Sequence, residues 1–237
     1  MSIDLKKPIP PNIRKKASLV ISHALRDMSY KIGINQLEKY RKLYSFDDKL
    51  LYALGLLYDH KGMQISGQFY SQGESVKISI KQKKKAEYYF KTAREIFYDI
   101  LKRNPKNVYA LFRCGILFEL NEQYRKAIKF KLKAYRIGMK DKSKRIPLLI
   151  GFTYLKMGEK KEAEKWIQKE LKFLGKENTS ANLNILLFYF LIKEYKKASL
   201  YIPQVEKILK SQRKTIGKKV QKLWQKRIQK IKKMANP

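Results

Sequence analysis

Few of the chain's 237 residues combine the type and the spacing that catalysis or metal binding requires. There are two histidines, His23 and His60, and neither has Cys, Asp or His partners at metal-ligand spacing. Asp59 precedes His60, a pair able to pass a proton. No nucleophile lies near it in sequence, so the pair reads as an exposed helix end. Cys114 is the single cysteine, which excludes an internal disulfide; its position reads as a small buried hydrophobe. Gly217-Lys218 has the last two residues of a phosphate-binding loop, but Lys219 follows where Ser or Thr is needed. The glycine five residues earlier is replaced by Gln212. Gly175-Lys176 fails in the same way, because Glu177 follows it. Asp47-Asp48 read as acids at a helix start, and Trp166 and Trp224 as packing residues. No enzyme, cofactor or metal is expected from these residues.

The remaining chemistry is electrostatic. Fifty-five Lys and Arg stand against 20 Asp and Glu, a net charge of +35. Such a surface attracts phosphate, and each neutralised phosphate releases counterions. The cations cluster at Lys81–Lys85, at 129–144 and from Lys207 to Pro237, where 12 Lys and Arg occur without one acid. The candidate phosphate contacts are Lys83, Lys84, Lys85, Lys214, Lys218, Lys219, Lys222, Lys226 and Arg227. The clusters lack aromatics interleaved with Arg, so bases are not expected to stack on them. Any nucleic acid would be held by its backbone, without sequence specificity.

The elements that must position these residues are helices. Residues 1–11 carry Lys6, Lys7, Pro8, Pro10 and Pro11 and read as a basic, proline-rich arm. Asn12 is placed to cap a helix over 13–29, Gly33 interrupts, and a shorter helix follows, so 12–45 is a helical hairpin. Ser45-Phe46-Asp47-Asp48 starts the next helix, which stops at Gly62. Residues 61–81 are rich in Gly, Ser and Gln and read as a loop insertion, closing on a strand-like alternation at Val76–Ile80. A long helix over 82–103 ends before Asn104-Pro105. Helix pairs follow at 107–120 with 122–137, at 145–157 with 160–174 about a Gly158 turn, and at 180–193 with 195–210, the last helix kinked at Pro203. The region 211–237 is a basic amphipathic helix, with Ile216, Val220, Leu223, Trp224, Ile228 and Ile231 at helical spacing.

Three features recur. Gly115 returns as Gly151 and Ala127 as Ala163, both after 36 residues, and Ala198 follows Ala163 after 35. Two-helix units of this period stack into a solenoid, because no single pair buries its apolar face alone. At these residues the chain resembles the tetratricopeptide repeat family over 46–210. One unit offers Leu51, Leu54-Gly55, Tyr58, Ala93, Phe97 and Pro105. The next offers Leu111, Cys114-Gly115, Phe118, Ala127 and Ala134, and the third Ile150-Gly151, Tyr154, Gly158 and Ala163. Ala53-Leu54-Gly55 with Lys85-Ala86-Glu87-Tyr88-Tyr89 also resembles the related Sel1-like repeat.

The resemblance implies an all-α, right-handed α-α superhelix with a concave groove lined by the first helix of each unit. The matching positions are Tyr52 and Leu56, then Tyr109, Phe112 and Ile116, then Leu148, Phe152 and Leu155, and last Leu187 and Phe190, with Leu183 beside them. This lining is apolar. The Lys, Asn and Arg with which chaperone-binding members of the family clamp a terminal carboxylate are absent from it. An apolar groove implies an occupant, either this chain's own C-terminal helix or an amphipathic helix or extended peptide of another protein. The expected function is a non-catalytic scaffold for protein–protein interaction within a larger assembly that contains nucleic acid or an acidic protein surface. The alternative is a sequence-nonspecific RNA- or DNA-associated protein, and an anionic membrane surface engaged by the last helix is a third option. No signal peptide or apolar run long enough to span a bilayer is present, so a soluble, cytoplasmic protein is expected.

Overall fold

The structure is a computed structural model that describes residues 7–67, 78–138, 145–175, 178–211 and 218–235. It is all-α, with 12 helices among the described residues and one two-residue parallel ladder. The chain forms two compact units, Met1–Asn121 and Glu122–Pro237. Their boundary falls between the two helices of the second predicted repeat.

The first unit contains α1 (Pro11–Arg26), α2 (Tyr30–Leu43), α3 (Asp48–Ser66), α4 (Ile80–Arg103) and α5 (Val108–Leu120). Each helix packs against the next in sequence, as stacked helix pairs require. Several boundaries differ from the sequence reading. Asn12 does not cap α1; Pro10 occupies the N-cap and Pro11 opens the helix, where a missing N–H costs nothing. Lys7–Pro8 (β1) pairs in parallel with Tyr44–Ser45 (β2), so part of the proline-rich arm is tied down. Gly33 does not interrupt. It lies buried inside α2, where a Cβ would sit 2.6 Å from that of Ala24, so it is a close-approach residue joining α1 to α2. Helix α3 does not stop at Gly62 but continues to Ser66 and ends at Gly67. Of the predicted loop, 61–66 is thus helical and 68–77 lies outside the described residues. Ile80 begins α4 instead of ending a strand; Ser79 and Gln82 form a reciprocal capping box there.

The α3–α4 pair shows why small residues recur. Gly55 and Gly62 stand seven residues apart on one face of α3, and Phe97 and Phe90 stand seven apart on α4, running the opposite way. A Cβ on Gly55 would meet the Phe97 ring at 2.7 Å, and one on Gly62 the Phe90 ring at 2.5 Å. The glycines are seats for two rings, and the helices approach closely over them.

The second unit contains α6 (Tyr124–Gly138), α7 (Ile146–Lys156), α8 (Lys160–Leu174), α9 (Thr179–Leu191), α10 (Tyr195–Ser199), α11 (Ile202–Ser211) and α12 (Lys218–Ala235). Gly158 turns α7 into α8 at φ +82°, a conformation glycine adopts without steric cost. Pro203 does not kink one helix; the predicted 195–210 helix is divided, and Pro203 lies in the first turn of α11. Ile228 and Ile231 of α12 are buried in one apolar cluster with Ile185, Phe188, Ala198 and Val205, so the helix docks by its apolar side on α9, α10 and α11. Residues 212–217, including Lys214 and Ile216, lie outside the described residues.

Candidate functional site

In the first unit the predicted lining residues come from α3 and α5. Asp47 caps α3 by accepting from the Leu50 N–H at 2.9 Å, and Asn107 caps α5 by accepting from the Ala110 N–H at 3.0 Å. These caps fix the start, and so the rotation, of both helices. Tyr52 of α3 and Tyr109 of α5 then meet edge to face, ring centroids 5.8 Å apart at 70°, while Tyr52 also leans on Phe97 at 5.6 Å. Tyr109 is 46% exposed, Tyr52, Leu56 and Ile116 are half-buried, and Phe112 is buried. The face is therefore an aromatic edge with Tyr109 at its crest. Phe112 belongs to the core, not to an open lining.

In the second unit the corresponding residues come from α7 and α9. Leu148 is buried in the core cluster. Phe152, Leu155 and Phe190 pack partly buried against that cluster, and Leu187 is half-buried. Phe190 is overlaid from α12, with Arg227 at 6.0 Å and Lys230 at 5.8 Å from its ring centre. Of the predicted lining of this unit, the last residue is thus covered by the chain's own C-terminal helix.

The candidate phosphate contacts divide as well. Lys83, Lys84 and Lys85 are exposed in the first turns of α4. There they oppose the helix dipole and do nothing for the helix. Lys222 and Lys226 are exposed on α12. Arg227 is half-buried, 5.2 Å from the Trp224 ring and near Phe190, so it is an aromatic-packed cation and not a solvent-facing one. Lys218 and Lys219 open α12, but their side chains, like all of Lys214, lie outside what the structure describes.

Three buried polar residues escaped the sequence reading. Asp59 is not at an exposed helix end. It is fully buried and paired with Arg113 of α5 at 3.0 Å. Burial pushes its carboxyl up to about 6, against the pull of Arg113. Beside it, burial and then the Arg113 charge bring His60 down to about 4. Glu170 of α8 is buried and takes the Arg145 guanidinium at 2.9 Å; Arg145 holds this pose at φ +47°, rare for a side chain of its size. Lys131 of α6 is buried and donates to the Thr153 hydroxyl of α7 at 2.7 Å. Each ties one helix to another. Cys114 is buried, and burial drives its thiol up to about 12, which leaves it protonated and inert. Among the described residues no group of three or more His, Cys, Asp or Glu is placed to hold a metal ion. None of the described helices is long and apolar enough to cross a membrane.

No family model matches the chain, and no curated protein matches it by sequence. Solved structures do. A double mutant of MamA from strain RS-1 is 17% identical, with 84% of this chain and 95% of that one aligned at a TM-score of 0.60. PilF of Pseudomonas aeruginosa is 15% identical over 82% of this chain and 77% of its own, at 0.58. A Podospora anserina protein described as a kinesin light chain with nearly identical TPR-like repeats is 15% identical over 85% and 97%, at 0.59. The chain has a TPR-like helical repeat fold. At these identities the likeness concerns the fold alone.

Proposed function

We propose that the chain is a non-catalytic scaffold that binds another protein through the first-helix face of its first unit, with Tyr52, Leu56, Tyr109 and Ile116 as the contact residues. The observation that carries this reading is the Tyr52–Tyr109 edge. Two rings are fixed against one another by packing, and one is nearly half exposed, as hot-spot aromatics are before a partner covers them. In the second unit the matching face ends under α12, so α12 acts as the cap of the array and leaves the outside partner to the first unit. The partner is an amphipathic helix or an extended peptide that lays apolar side chains on this edge. A photocrosslinking residue at Tyr109, introduced in the native host, should give one discrete adduct that disappears when Tyr52 is changed to Ala. The same residue at the exposed Tyr88 should not. No adduct at Tyr109, or equal adducts at both positions, refutes the assignment.

A second reading is that the lysine-rich surface binds nucleic-acid backbone. It is favoured by the distribution of charge. The second unit carries 32 Lys and Arg against nine acids, the first unit 23 against 11. Gel shift with generic RNA across a salt series tests it, since backbone binding must weaken steeply with salt.

A further inference from the structure

Helices α11 and α12 enclose a groove of about 720 Å³. One wall is a row of amides, Gln221, Gln225 and Gln229, which the step of four residues keeps on one face of α12. Lys232 continues that row, and Lys210 faces it from α11. Leu209 and the largely covered Ile228 are the apolar side chains among the described lining residues. Lys222, Lys226 and Lys233 form the outer rim of α12 beside the amides, all exposed and, among the described residues, without a carboxylate partner. Glu206 is the one acid among the described lining residues, and Lys232 already neutralises it at 2.8 Å.

We infer that the α11–α12 groove holds a single strand of nucleic acid by its phosphate backbone; this rests on the second reading above and assigns its site. Lysine and glutamine are the side chains that contact phosphate oxygens, the first by charge and the second by amide N–H donation. Lysine is by contrast depleted from protein interfaces. An anionic bilayer is disfavoured because the side of α12 that would insert is already buried, Ile231 fully and Ile228 and Ala235 nearly so. The rim lysines follow the helix at about 1.5 Å of rise per residue, so Lys222 to Lys233 track about 16 Å of strand. Among the described lining residues none is aromatic, so the strand is held without stacking and without base preference.

The test is fluorescence anisotropy of a labelled 20-nucleotide oligo-dT with the full chain from low to physiological salt. Lys222→Gln/Lys226→Gln/Lys233→Gln should flatten the slope of log K against log salt by about 2 and weaken binding roughly 50-fold at physiological salt, taking about 0.7 per phosphate contact. Lys83→Gln/Lys84→Gln/Lys85→Gln removes the same charge elsewhere and should change binding less than about threefold. Gln225→Glu/Gln229→Glu should weaken binding as the rim variant does, and Trp224 emission checks that α12 stays docked in each. If the wild type does not bind, the second reading and the groove both fall. If it binds and the two lysine variants lose equally, or the glutamate variant loses nothing, the groove alone falls. Displacement of the strand by poly-glutamate at equal charge concentration would assign the groove to an acidic protein and overturn the inference.

Discussion

Asp59 and His60 are adjacent on α3, and their environments drive stability in opposite directions with pH. Asp59 is fully buried, and desolvation outweighs the attraction of Arg113, lifting the carboxyl from 3.8 to about 6. A carboxyl whose folded value lies above its unfolded one stabilises fully below pH 3.8 and loses that contribution as pH rises through about 6. The shift corresponds to about 3 kcal/mol. His60 is half-buried and held neutral, from 6.5 down to about 4, by desolvation and then by Arg113. Its contribution is full above 6.5 and lost as pH falls through about 4; allowing for its partial exposure this is about 1–2 kcal/mol. The two slopes oppose, so the wild-type profile is shallow. Asp59→Asn removes the falling slope, and its unfolding free energy relative to wild type should climb by about 2.4 kcal/mol between pH 4 and 7. His60→Gln should give the mirror result, a profile that falls with pH. Urea titration followed by far-UV circular dichroism reads both. Tryptophan emission reports only the second unit, where Trp166 and Trp224 lie, and serves as the control. A difference between Asp59→Asn and wild type that stays constant within about 0.5 kcal/mol across this range refutes the coupling of buried charge to stability at α3.

Gly62→Ala gains about 1 kcal/mol of helix propensity, but its Cβ meets the Phe90 ring at 2.5 Å. The overpacking should win, for a net loss of about 1–2 kcal/mol in a thermal melt, and Phe90→Leu in the same chain should recover part of it. Ile231→Ala should cost about 2–4 kcal/mol, because the side chain is fully buried in the cluster that docks α12. Limited trypsin digestion checks this, with cleavage of the lysine-rich α12 preceding loss of the rest. Cys114 should resist iodoacetamide at pH 8 in the folded chain and react at once in urea, since burial holds its thiol near 12. Mass spectrometry of the two samples reads the difference.

The repeat and the helix order were legible because they rest on local signals. Helical spacing of apolar residues, glycines at Gly158 and Gly175, and the Asn104-Pro105 stop each act within a few residues. The errors came where the same residue type serves two ends. Gly33 breaks a helix by propensity, yet it sits in one because contact between α1 and α2 requires the absence of a Cβ. In sequence Asp59 reads as an exposed helix end, Lys131 falls within the cation cluster 129–144, and Glu170 is not singled out. Their spacing already placed them inside: Asp59 follows Gly55 by four residues, Lys131 follows Ala127 by four, and Glu170 follows Ala163 by seven. What sequence could not supply was the partner, since Arg113 and Arg145 reach them only through tertiary packing. The first-helix faces were legible as apolar positions. Which of them stay open was not, because burial of Phe112 and Leu148 beside an exposed Tyr109 depends on how neighbouring helices close over each position.

The two proposed surfaces draw on different physics and belong to different units. The Tyr52–Tyr109 edge acts through apolar burial and fixed ring geometry, in the unit that holds the smaller excess of charge. The α11–α12 groove acts through charge, on a helix whose apolar side is already occupied. A helix of alternating lysines and hydrophobes free in solution would repel itself and expose both faces. Docked, it presents mainly lysine and glutamine, with Met234 the exposed apolar residue, because Ile228 and Ile231 are taken up by the cluster of α9, α10 and α11 and Ala235 is buried. The docking thereby sorts the helix into an inner side that holds the second unit together and an outer, lysine-rich side, the one the groove proposal assigns to phosphate.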